Sequence, residues 1–189
     1  MPEINLIREF NDSFINQVKN AYLNKKTVDK SNNNNNGIEL FQSPFPHGII
    51  SDLIIDTEFL NDLKAEMKSK LKYLPKNNDL YKFHQTGDLA SSKLKSIRKF
   101  RDQILYGSVL KRLEQITNIA LSSKIDFTSS KYDCTDYLLC HDDDIHNDAN
   151  KQGRRIAFIY YLVPDDWSAK DGGNLDLFNV DGNFFILNK

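Results

Sequence analysis

Cysteine is scarce, with only Cys134 and Cys140 in 189 residues. On one extended strand they would lie about 20 Å apart, too far for a disulfide. A disulfide-stapled scaffold is therefore excluded, and a reducing, intracellular setting is expected. No run approaches ~18 consecutive apolar residues, so no membrane-spanning helix is expected. Residues 1–10 place Glu3, Arg8 and Glu9 among apolar side chains, without the basic flank, apolar run and small-residue cleavage site of a secretory leader. Neither sign of charge dominates, since 25 Lys and Arg face 26 Asp and Glu for a net charge of −1. Bulk electrostatics therefore gives no reason for contact with nucleic acid. What remains, 40% hydrophobic and 27% charged residues, suits one soluble domain with an appended segment.

The first segment reads as an amphipathic helix. Leu6, Ile7, Phe10, Phe14, Val18, Tyr22 and Leu23 recur at steps of three and four, and Lys25 and Lys26 stand where a helix C-terminus favours positive charge. Residues 24–37 are polar, with asparagine at every position from Asn32 to Asn36, and read as a linker. The expected division is thus a helix plus linker over 1–38 and a domain over 39–189. After Pro44 and Pro46 comes an apolar stretch at 49–55. A helix is expected at 57–71 on the face Phe59, Leu60, Leu63, Met67 and Leu71. A second helical region spans 91–121 along Leu94, Ile97, Ile104, Leu105, Val109, Leu113 and Ile116, with Gly107 expected to divide it.

Beyond Ser123 the pattern changes. Residues 124–128, 131–140, 154–163 and 174–178 are short, rich in β-branched and aromatic residues, and bounded by turn formers. Helices first and strands later predict an α+β fold, not a Rossmann fold. Residues 156–163 are apolar almost throughout, as expected of a strand covered on both faces.

The densest polar feature, Cys140-His141-Asp142-Asp143-Asp144, directly follows an apolar strand segment. Strand alternation puts His141 and Asp143 on one face and Asp142 on the other. An imidazole and a carboxylate two residues apart can share one cation, and a third ligand would complete a facial triad for non-haem Fe(II). His-x-Asp alone is equally a solvated turn. An EF-hand loop from Asp142 fails, because Asn147 and Gly153 stand where Gly and Glu are needed. A metal-dependent glycosyltransferase using Asp142 and Asp144 lacks a phosphate-binding glycine turn.

The runs KYDCTDYLLCHDD at 131–143, RRIAFIYYLVP at 154–164 and GGNLDLF at 172–178 closely resemble the 2-oxoglutarate- and Fe(II)-dependent prolyl hydroxylases that act on a small-subunit ribosomal protein. PFPHG at 44–48 and NDLYKFHQ at 78–85 resemble the same family's N-terminal catalytic domain, and the resemblance covers roughly residues 41–181. It implies a double-stranded β-helix (jelly roll) with helices packed outside, here partial. It also implies Fe(II), 2-oxoglutarate, O2 and ascorbate as cofactors, and cytoplasmic or nuclear placement. The implied reaction is 3-hydroxylation of a ribosomal prolyl residue. His141 and Asp143 match the first two iron ligands, and Tyr132 and Tyr161 match positions associated with 2-oxoglutarate. Tyr132 and His141 are nine positions apart, which on an unbroken strand points them to opposite faces, so a bulge or bend is expected between them.

The family also expects a later histidine and an arginine for the far carboxylate of 2-oxoglutarate. No histidine follows His146 and no arginine follows Arg155. His146 lies in a polar segment and is a poor third ligand. His84 is expected to be a local hydrogen-bonding residue, His47 a loop residue, and Arg154 and Arg155 structural or surface groups. The expectation is an incomplete domain with impaired turnover. The alternative is a non-catalytic peptide-binding remnant.

Overall fold

The computed structural model describes residues 12–29, 37–143, 153–182 and 184–187. Met1–Lys72 with Thr86–Ser129 form one compact unit, and Tyr73–Gln85 with Ser130–Lys189 form another. The asparagine tract, Asp144 and His146 lie outside the described residues, as does the first part of the expected N-terminal helix.

In the first unit, α1 (Asp12–Leu23) buries Phe14, Ile15, Val18 and Ala21. Its end is a Schellman motif: Lys26 N–H donates to Ala21 O (2.8 Å) and Lys25 N–H to Tyr22 O (3.1 Å). Lys25 takes the left-handed position at φ 53°, where glycine is usual. Phe14, Val18 and Ala21 share one core cluster with Val28, Ile38 and Leu40, so the helix packs across the linker onto β1 (Ile38–Phe41). That strand pairs antiparallel with β2 (His47–Ile50), which therefore carries the histidine expected in a loop.

Helix α2 (Thr57–Lys70) follows its sequence signals closely. Asp56 caps it by accepting from Phe59 N–H (2.8 Å), and Phe59 and Leu63 are buried. Glu66 then caps the next helix, α3 (Lys95–Lys99), accepting from the N–H groups of Lys95, Ser96 and Ile97 at 3.1, 2.7 and 3.1 Å. The expected break at Gly107 does not occur. The chain continues through a π-helix, Phe100–Val109, into α4 (Leu110–Thr117), which ends at Asn118 in the left-handed conformation. A Cβ at Gly107 would meet Asp102 O at 3.1 Å, so glycine permits the wide turn. Ile97 and Ile104 are fully buried. Residues 124–128 form no strand; Phe127 and Ser129 carbonyls instead accept from Leu89 and Thr86 N–H groups at 2.7 and 3.0 Å.

The second unit is built on antiparallel pairs. Strand β3 (Leu74–Asn77) pairs with β4 (Tyr81–Gln85) across an Asn78 turn whose Oδ1 accepts from Leu80 and Tyr81 N–H at 2.8 and 3.0 Å. The other edge of β4 takes two partners in succession, β5 (Ser130–Lys131) on its last residues and β6 (Tyr137–Leu138) on its first. The strand expected at 131–140 is thus split. A separate hairpin joins β7 (Leu175–Phe178) to β8 (Phe184–Leu187). Between the two sheets, residues 154–163 run without ladder pairing among the described residues. The even positions 156–162 are half-buried and the odd ones exposed, with Ile159 54% exposed. This corrects the reading of a strand covered on both faces. An apolar run does not reveal how many faces its neighbours cover.

Candidate active site

Strand β6 delivers the His-x-Asp pair. Leu139 N–H donates to Leu80 O (2.9 Å), extending the ladder by one residue and fixing where the chain leaves the sheet. Two residues later, His141 Nδ1 lies 2.8 Å from Leu139 O. A carbonyl only accepts, so Nδ1 is the donor in this contact, which leaves Nε2 as the nitrogen turned toward Asp143. Nε2 faces Asp143 Oδ1 at 3.5 Å, bringing the two expected ligands together. An imidazole nitrogen and a carboxylate oxygen at that spacing fit a shared divalent ion. Both side chains are about half exposed. Arg154, expected in a structural or surface role, reaches the same oxygen, with Nη1 3.3 Å from Asp143 Oδ1.

The expected bend between Tyr132 and His141 is a turn at residues 133–136. Asp136 N–H donates to Asp133 O (3.0 Å), and Asp133 N–H donates back to Asp136 Oδ2 (2.9 Å). Thr135 holds φ 71°, rare for a β-branched residue. Tyr132 stands just before this turn, its ring stacked on Phe83 of β4 with centroids 5.1 Å apart. Burial raises the pKa of both Tyr132 and Tyr161, and the Tyr161 phenol and Asp136 raise Tyr132 further. The structure thus brings the two expected co-substrate tyrosines within electrostatic reach. Their hydroxyls stay protonated at neutral pH and can donate to a carboxylate.

His84 is not simply a local hydrogen-bonding residue. Its buried Nδ1 has no hydrogen-bond partner and lies 3.9 Å from both Asp133 Oδ2 and Asp136 Oδ2. These three side chains have ligand atoms within 4.8 Å of one another, the spacing of a metal site. Both carboxylates, however, already hold an ammonium. Lys131 Nζ is 2.9 Å from Asp133 Oδ2 and Lys82 Nζ is 3.4 Å from Asp136 Oδ1. As it stands the cluster is an ion network, and its three donor atoms keep the spacing of a metal site. Asp136 was not singled out by its sequence, although an Asp-x-x-Asp turn was a signal for it. Cys134 and Cys140 are free and exposed.

Sequence comparison bears on this same segment. Residues 127–187 match the 2OG-Fe(II) oxygenase superfamily. It is 43% identical to the Xenopus laevis protein named prolyl 3-hydroxylase OGFOD1 over 146 residues, which are 77% of this chain and 27% of that protein. To the Mus musculus protein of the same name it is 36% identical over 173 residues, 92% of this chain and 30% of that one. The Drosophila melanogaster prolyl 3-hydroxylase sudestada1 is 33% identical over 156 residues, 79% of this chain and 27% of that one. The chain thus spans under a third of the length of these relatives.

Proposed function

We propose that this protein hydroxylates a prolyl residue of a small-subunit ribosomal protein at ring carbon 3, using Fe(II), 2-oxoglutarate and O2, with ascorbate keeping the iron ferrous. The observation that carries this reading is His141 Nε2 facing Asp143 Oδ1 at 3.5 Å within the segment that matches the oxygenase family. On this reading the antiparallel strands of the second unit belong to a double-stranded β-helix.

His141 would ligate through Nε2, with Nδ1 donating to Leu139 O, and Asp143 would supply an anionic oxygen. Bound Fe(II) supplies the oxidative decarboxylation of 2-oxoglutarate to succinate and CO2 that is coupled to hydroxylation. Tyr132 and Tyr161 would donate their phenolic protons to the carboxylate groups of 2-oxoglutarate. Arg154 limits the negative charge at Asp143. Two side-chain ligands hold a divalent ion less firmly than three, so the 189-residue chain by itself is expected to bind iron weakly and turn over slowly.

The test is Fe(II) binding together with succinate release from 2-oxoglutarate in the presence of a proline-containing ribosomal peptide. Weak binding lost in His141→Ala, with little succinate, is the expected result. Vigorous turnover abolished by His141→Ala would refute impairment; binding indifferent to both His141→Ala and Asp143→Ala would refute the site. Exposed Leu138, Leu139 and Ile159 favour one competing reading, a non-catalytic peptide-binding remnant. Calorimetry separates the two, because a remnant binds the peptide without Fe(II) or 2-oxoglutarate.

A further inference from the structure

We propose that Asp136 is a positioning residue, which folds the 133–136 turn onto β4 and thereby sets where Tyr132 stands. The inference rests on the assignment of Tyr132 to 2-oxoglutarate made above. Four contacts carry it. Asp136 Oδ2 accepts from Asp133 N–H at 2.9 Å, which closes the turn one residue after Tyr132. Its Oδ1 lies 3.4 Å from Lys82 Nζ on β4, and the same ammonium donates to Thr135 Oγ1 at 2.9 Å. His84, two positions along the strand, faces Oδ2 at 3.9 Å.

The turn is therefore fastened to β4 at Lys82, next to Phe83, whose ring stacks on Tyr132. The Asp136 side chain is only 3% exposed, so water does not replace these partners cheaply. Asp136 does more than close a loop. A turn closed only on itself would leave Tyr132 free to swing with it, whereas Lys82 and Phe83 belong to the strand that also pairs with β6. One strand thus fixes both the tyrosine and the approach to His141.

The experiment uses the chain labelled with 3-fluorotyrosine, the Tyr132 fluorine resonance being assigned by its loss in Tyr132→Phe. Zn(II) replaces iron as a diamagnetic probe, and 2-oxoglutarate is titrated in. In Asp136→Asn, the Tyr132 resonance should move toward that of free fluorotyrosine while those of Tyr22 and Tyr106 stay in place. The 2-oxoglutarate Kd should rise about tenfold, the scale of one lost charge-assisted hydrogen bond. Lys82→Met, which leaves the turn's own hydrogen bonds intact, should move Tyr132 part of the way, and it carries the test should Asp136→Asn not fold. An unmoved Tyr132 resonance in a folded variant, or all tyrosine resonances moving together, overturns the proposal. A Tyr132→Phe variant with unchanged 2-oxoglutarate Kd would instead sink the assignment of Tyr132, and the resonance measurement would still judge Asp136.

Discussion

Phe83 and Tyr132 lie ring on ring, with planes 17° apart, where the β5 and β6 edge of β4 is unpaired. Between β5 and β6 no backbone ladder joins the two segments at Phe83, so this aromatic contact takes over. Phe83 is 8% exposed and Tyr132 48%. The buried ring is the platform and the exposed one is what it presents.

Removing the platform should therefore cost stability. Phe83→Ala is expected to lower the unfolding free energy by about 3 kcal/mol. Urea denaturation measures it. Tyr132→Ala, which strips the exposed member, should cost less than half as much.

The two histidine clusters should behave differently toward metal. Changing even the group behind a metal ligand costs about 10–100-fold in affinity, so His141→Ala or Asp143→Ala should weaken Mn(II) binding by more than about tenfold. His84→Ala should leave it within about twofold, because lysines already neutralise Asp133 and Asp136. Electron paramagnetic resonance of Mn(II) reads both.

Acid stability should trace to Asp136. The Asp133 backbone N–H, with Lys82, holds its pKa below the ordinary carboxylate range. A folded pKa below the unfolded one gives stability that is present above about pH 4 and lost as pH falls through the folded value. Asp136→Asn should flatten this acid limb in denaturation curves taken at successive pH values. At the alkaline end the sign reverses. Burial raises Tyr132 and Tyr161, so their contribution holds below about pH 10 and is lost as pH rises. Tyr161→Phe should reduce that loss.

In the first unit, the helix caps and the core can be tested separately. Ile104→Ala, at a fully buried position, should cost about 3 kcal/mol. Glu66→Ala, which strands three N–H groups at the start of α3, should cost about 1–2 kcal/mol. Thermal unfolding with calorimetric enthalpies distinguishes the two magnitudes.

How legible the chain is depends on the range of the interactions involved. Helix α2 was readable to within a residue because its cap and its apolar spacing are local. His141 and Asp143 do lie close, but the strand whose alternation was expected to pair them ends at Leu138, so that proximity belongs to the loop beyond it. The π-helix was not readable, since Gly107 signals a break as readily as a wide turn. Residues 154–163 misled because an apolar sequence records what a segment prefers and not which strands lie beside it. Tyr132 and Tyr161 were singled out through resemblance, whereas the contacts of Asp136 needed β4 in place before they were visible.

Thr135 shows what this arrangement costs. A threonine backbone at φ 71° is in a sparsely populated conformation, which glycine or asparagine would occupy with less penalty. Its hydroxyl, however, accepts the Lys82 proton that anchors the loop. Relaxing the backbone by substitution would also release the anchor, so glycine or asparagine here should relieve the strained φ yet loosen the turn from β4.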